Sequence, residues 1–74
     1  MQGRCLCGAL VYEAEGQPAT VTVCHCRFCQ RATGGAYLVD ALFKRARFRV
    51  LNGSPRVYDH RSEGSGNLVH IQFC

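Results

Sequence analysis

The stretch Cys24-His25-Cys26-Arg27-Phe28-Cys29 places three thiols within six residues, in the order C-x-C-x-x-C. Three sulfurs that close suit a disulfide framework badly, because one is always left over. They suit three corners of a zinc tetrahedron, where Zn–S bonds are about 2.3 Å and neighbouring sulfurs lie roughly 3.8 Å apart. Cys26-x-x-Cys29 has the usual knuckle spacing, a tight turn that presents two side chains to one ion. Cys24 adds a third from the end of the strand before it. No His or Cys follows closely enough to supply a fourth. Three protein ligands and an open position form the pattern of a catalytic zinc, whereas a closed set of four is structural. The alternative is a purely structural knuckle whose fourth ligand comes from elsewhere.

Working outward, Thr20-Val21-Thr22-Val23 is β-branched throughout and reads as the strand that delivers the chain to Cys24. Arg27 to Thr33 fits about two turns of helix, stopped by Gly34-Gly35. The longest apolar run, Ala36 to Phe43, reads as a buried strand, with helix as its rival. Phe48 to Leu51, Arg56 to His60 and Leu68 to Phe73 read as further strands. They are separated by the turn Asn52-Gly53-Ser54-Pro55 and the loop Ser62 to Asn67. Upstream, Gln2 to Arg4 fits an edge strand and Ala9 to Ala14 a longer one. Between them stands a second thiol pair, Cys5-Leu6-Cys7-Gly8. In an extended strand those two sulfurs would sit about 6.6 Å apart, too far for one metal, so the backbone must bend there. Gly8 gives the bend conformational room. Tyr37, Phe43, Phe48 and Phe73 are the expected core aromatics.

With 74 residues the chain makes one domain, residues 1–74, and a chain this short usually needs staples. Its 47% hydrophobic and 19% charged residues exclude disorder. There is no signal-peptide pattern and no transmembrane run, so no membrane partner is expected and a cytoplasmic location follows. In that compartment these spacings favour metal over disulfides. The formal charge is +4, and six thiolates with two zinc ions would lower it to about +2. That is too little for a dedicated nucleic-acid binder, and it suits a small anionic substrate. Arg27 and Arg31 lie nearest the thiols in sequence, and Lys44, Arg45, Arg47 and Arg49 form a second cationic cluster that reads as a solvated edge. His25 reads as a packing neighbour, and His60 and His70 as strand residues. His70, four residues before Cys74, is a remote candidate for a ligand.

Gly3-Arg4-Cys5-Leu6-Cys7-Gly8-Ala9-Leu10-Val11-Tyr12, then Cys24-His25-Cys26-Arg27-Phe28-Cys29-Gln30-Arg31-Ala32-Thr33-Gly34, then Phe73-Cys74 together resemble the glutathione-dependent formaldehyde-activating enzyme family, which includes centromere protein V. The resemblance runs through the chain in order. It implies an all-β fold of short strands and long coils, a small zinc-binding β-sandwich-like domain similar to Rab-accessory zinc proteins and B-type methionine sulfoxide reductases. It implies a structural zinc on Cys5, Cys7 and a late C-x-x-C whose first cysteine matches Cys74, and a catalytic zinc on Cys24, Cys26 and Cys29. The second late cysteine does not follow, so the chain is expected to be a piece of a longer protein.

The reaction implied is the joining of glutathione to formaldehyde, a carbon–sulfur lyase run in reverse, with a small thiol and an aldehyde as partners. A second reading is a non-catalytic zinc module for a protein or nucleic-acid partner. A third is a redox or zinc-storage role for the three-thiolate group. Oligomeric state stays open.

Overall fold

The computed structural model describes residues 1–74, which form seven strands, one α-helix and one 3-10 turn. Strands β1 (Gln2–Arg4), β2 (Val11–Ala14) and β5 (Phe48–Asn52) make a sheet in the order β1-β2-β5. Strands β3 (Thr20–Cys24) and β4 (Leu38–Leu42) make an antiparallel ribbon, as do β6 (Arg56–Arg61) and β7 (Leu68–Phe73). The helix, α1 (Arg27–Thr33), occupies the residues expected of it. The outcome is a small, mainly β chain with long connections and one short helix.

The residues group into two compact units: Met1 with Ala14–Arg49, and Gln2–Glu13 with Val50–Cys74. In the first, the register of the ribbon sets Thr20 opposite Leu42 at one end and Cys24 opposite Leu38 at the other. The base of the unit is tied by backbone bonds. Ala14 N–H donates to Met1 O at 2.9 Å, and Glu15 N–H to Arg47 O at 2.8 Å. Lys44 precedes the 3-10 turn Arg45–Arg47, which the sequence did not announce. Its cations are exposed, as a solvated edge requires.

In the second unit Arg56 pairs with Phe73 and Arg61 with Leu68. The connecting loop is closed by Ser62 N–H to Asn67 O and by the Arg61 guanidinium to Gly66 O, both at 2.8 Å. In β1, Gly3 stands opposite Tyr12, and a Cβ there would collide with the Tyr12 ring. The ring covers the gap that the glycine leaves, an established device for glycines in sheet edges.

Only Ala14 and Cys29 are deeply buried, at 1% and 5% exposure. This corrects two expectations. The Ala36–Phe43 run does form a strand, but Val39, Ala41 and Leu42 are exposed, so β4 is not a buried one. Among the expected core aromatics, Tyr37 (50%), Phe48 (44%) and Phe73 (46%) are exposed, and Phe43 is half-buried. The cause is architectural. A two-stranded ribbon has two faces, and alternation puts Val21, Val23, Val39 and Ala41 together on one of them, where all four are exposed. With so little core, bound metal is the natural source of stability.

Candidate metal centres

Both cysteine groups converge. The sulfurs of Cys24, Cys26 and Cys29 all lie within 4.8 Å of one another, and so do those of Cys5, Cys7 and Cys74.

In the first group, β3 delivers Cys24 as its last residue, the chain passes through His25 and bends at Cys26, and Cys26 becomes the N-cap of α1. An N-cap needs an acceptor side chain for a free backbone donor. The Cys26 sulfur fills that role, accepting the Cys29 N–H at 3.2 Å. One turn of helix returns Cys29 beneath it, with Sγ–Sγ 3.2 Å. Cys29 is buried, Cys24 half-buried and Cys26 exposed, so the cluster opens on the Cys26 side. The far end of α1 is fixed by Gly34 at φ 71°, whose N–H reaches Gln30 O at 2.8 Å. The Thr33 hydroxyl lies 2.9 Å from Cys29 O and 3.4 Å from Tyr37 O, and accepts the Gly35 N–H at 3.1 Å. Gly34 and Gly35 therefore serve the helix exit.

The second group is built on the bend foreseen between Cys5 and Cys7. Cys5 N–H donates to Leu10 O and Gly8 N–H to Cys5 O, each at 2.9 Å, with Gly8 at φ 80°. Ala9 N–H donates to Cys7 Sγ at 3.4 Å. Cys74 leaves the end of β7 and sets its sulfur 3.5 Å from that of Cys7. Gly53, at φ 89°, buttresses this bend. A Cβ on it would collide with the Ala9 carbonyl oxygen.

Each group is electrostatically asymmetric. The Cys29 N–H, and then the Cys29 thiol, hold Cys26 below its ordinary pKa. Cys29 is pushed up to about 12 by its contact with Cys26 and then by Cys24. The Ala9 N–H, and then the Cys74 thiol, lower Cys7. Cys74 is raised to about 11 by Cys7 and then Cys5. Crowded sulfurs cannot all ionise, so the last proton stays. A soft divalent cation would remove that conflict, and the all-thiol donor set fits one.

The histidines stand aside. His25 packs its ring on Tyr37, centroids 5.5 Å apart, as a packing neighbour should. His60 tilts against Tyr58 at 6.2 Å. His70 faces Asp59 across the β6–β7 ladder, Nδ1 to Oδ1 2.5 Å, and is absent from the Cys5/Cys7/Cys74 group. Reasoning from sequence missed the Asp59–His70 pair. The signal was available in the loop, since closing residues 62–67 as a hairpin pairs Arg61 with Leu68 and so sets Asp59 opposite His70.

A mainly β chain with two converging three-cysteine groups is of a thiol-rich, metal-binding type. The glutathione-dependent formaldehyde-activating enzyme family model matches residues 1–74, and the chain belongs to that family. No curated protein and no solved structure matches it. No helix is long and apolar enough to cross a membrane.

Proposed function

We propose that the chain is a zinc-dependent carbon–sulfur lyase-type domain that condenses formaldehyde, or a related aldehyde, with glutathione or a similar thiol. Cys24, Cys26 and Cys29 would hold the catalytic zinc and Cys5, Cys7 and Cys74 a structural one, within one domain in the cytoplasm. The observation that carries the reading is the three-sulfur group at Cys24, Cys26 and Cys29, open on one side, in a chain of this family.

In the reaction the thiol gives up its proton and its sulfur adds to the carbonyl carbon, so that a C–S bond forms as the C=O π bond opens, and the carbonyl oxygen takes up a proton in place of the one the thiol lost. Bound zinc would supply stabilisation of the incoming sulfur as thiolate, which a free thiol with a pKa near 8.5 lacks at neutral pH. The chain's own contribution is to hold three sulfurs rigidly. The N-cap bond fixes Cys26, helix burial fixes Cys29, and the β3–β4 ladder fixes Cys24. The exposed edge at Cys26 admits the substrate.

Labelled formaldehyde and glutathione, followed by exchange NMR, test this. The zinc-loaded chain should speed interconversion with S-(hydroxymethyl)glutathione well above the buffer rate, and Cys26→Ser should abolish the gain. An exchange rate equal to buffer would remove the enzymatic reading. One observation favours the second reading, a non-catalytic module for a nucleic-acid partner: Lys44, Arg45 and Arg47 are exposed and carry no carboxylate partner. Affinity for DNA that falls steeply with log[salt] would identify it.

A further inference from the structure

We infer that Arg27 recognises a carboxylate of the thiol substrate and that Gln30 holds it in position, so that the Cys24/Cys26/Cys29 site selects anionic thiols. The inference rests on the proposed reading of that site as thiol-binding.

The requirement comes from charge. Three thiolates and one divalent cation sum to a formal charge of about −1, which repels an anionic thiol unless a cation stands close by. Residues 14–49 contain six cations and two carboxylates, whereas residues 2–13 and 50–74 balance three against three. The whole excess of positive charge therefore lies in the unit that carries this site.

Geometry narrows the six to one. Arg49 is paired with Glu15 at 3.2 Å. Lys44, Arg45 and Arg47 follow the Leu42 end of β4, while Cys24 faces Leu38 at the opposite end, roughly 14 Å away along the strand. Arg31 sits one turn further along α1, away from its N-cap. Arg27 is the residue directly after Cys26 and is exposed.

Helical rotation alone would aim Arg27 away from the sulfurs. At about 100° per residue, the order around α1 runs Arg27, Gln30, Cys26, Cys29. In that order Gln30 stands between Arg27 and the two cysteines. Its Oε1 accepts from Arg27 Nη1 at 3.0 Å, and its Nε2 donates to Ala36 O at 3.3 Å. The amide, itself anchored on Ala36, holds one guanidinium N–H on the Gln30 side of Arg27, the side from which Cys26 follows around the helix, and leaves the other N–H donors for a carboxylate. Gln30 is thus a positioning residue acting through Arg27.

The test uses S-methylglutathione, which keeps both carboxylates and has no free thiol. Titrated into the zinc-loaded chain, it should shift the Arg27 Nε–Hε NMR signal, with affinity falling as salt is added. Arg27→Gln should weaken it about tenfold, the scale of one partly exposed charge-assisted bond. Gln30→Glu should weaken it similarly, because the new carboxylate captures the guanidinium, and Arg27→Lys should restore part of the loss. The preference for glutathione over 2-mercaptoethanol should drop by the same factor in Arg27→Gln. Equal S-methylglutathione affinity in wild type and Arg27→Gln would overturn the inference. So would an equal loss for both thiols, or loss of metal from both Arg27→Gln and Gln30→Glu. Retained S-methylglutathione binding without acceleration of the formaldehyde exchange would instead refute the lyase reading and leave this subsite standing.

Discussion

Gly53→Ala should loosen the Cys5/Cys7/Cys74 centre without touching a cysteine. Gly53 sits at φ 89°, where an L side chain costs roughly 1–2 kcal/mol. Its Cβ would also run into the Ala9 carbonyl oxygen and lie 3.2 Å from the Ala9 carbonyl carbon and Leu10 Cα. These are backbone atoms, so relief requires the whole 5–10 bend to retreat, and overpacking of this kind costs about 1–3 kcal/mol. The sum, roughly 2–5 kcal/mol, is a large share of the total stability of about 4–11 kcal/mol for a chain of this length. Gly34→Ala is the control. It has a comparable φ of 71° but open space around the added atom, so it should lose only about 1 kcal/mol. Thermal melts of the metal-loaded proteins read the difference, and chelator competition reads which centre weakens. Gly53→Ala should melt roughly 10 °C or more below wild type, well below Gly34→Ala. It should surrender one metal early while the Cys24/Cys26/Cys29 centre keeps its affinity. Equal melting of the two variants would refute the clash, and equal weakening of both centres would refute its local reach.

Thr33→Val removes a hydroxyl that binds the exit of α1 to the turn before β4 and should lower stability by about 1–2 kcal/mol in thermal melts, with Thr33→Ser recovering most of it. His70→Ala breaks an exposed cross-strand pair with Asp59; it should cost at most about 1 kcal/mol and leave metal content unchanged by mass spectrometry. Without metal Cys29 keeps its proton up to about 12, and binding requires it as thiolate. Metal uptake must therefore expel protons, so affinity should rise with pH, with roughly two to three protons released per centre near neutrality in a pH-dependent chelator titration.

The elements were legible where local chemistry decides them. The β-branched run before Cys24, the glycine stop after Thr33 and the turn at Asn52-Gly53 each act within a few residues, and each appears where its pattern places it. The two sulfur groups were legible because metal spacing is a short-range rule, and the forced bend between Cys5 and Cys7 followed from strand geometry. Burial was not legible. Whether Val39 or Phe73 is covered depends on which layers stack, and alternation along one strand carries no information about a second layer. The Gln30 bridge between Arg27 and Ala36 escaped for a related reason, since it needs the helix and the following turn placed together.

Metal stoichiometry tests the central claim most directly. Native mass spectrometry of the zinc-loaded wild type, Cys26→Ser and Cys7→Ser, with circular dichroism to follow the strands, is the measurement. Two independent sulfur groups imply two metals in the wild type and one in each variant, with strand content retained. A wild type that holds a single metal, or a single variant that loses both, would contradict the account.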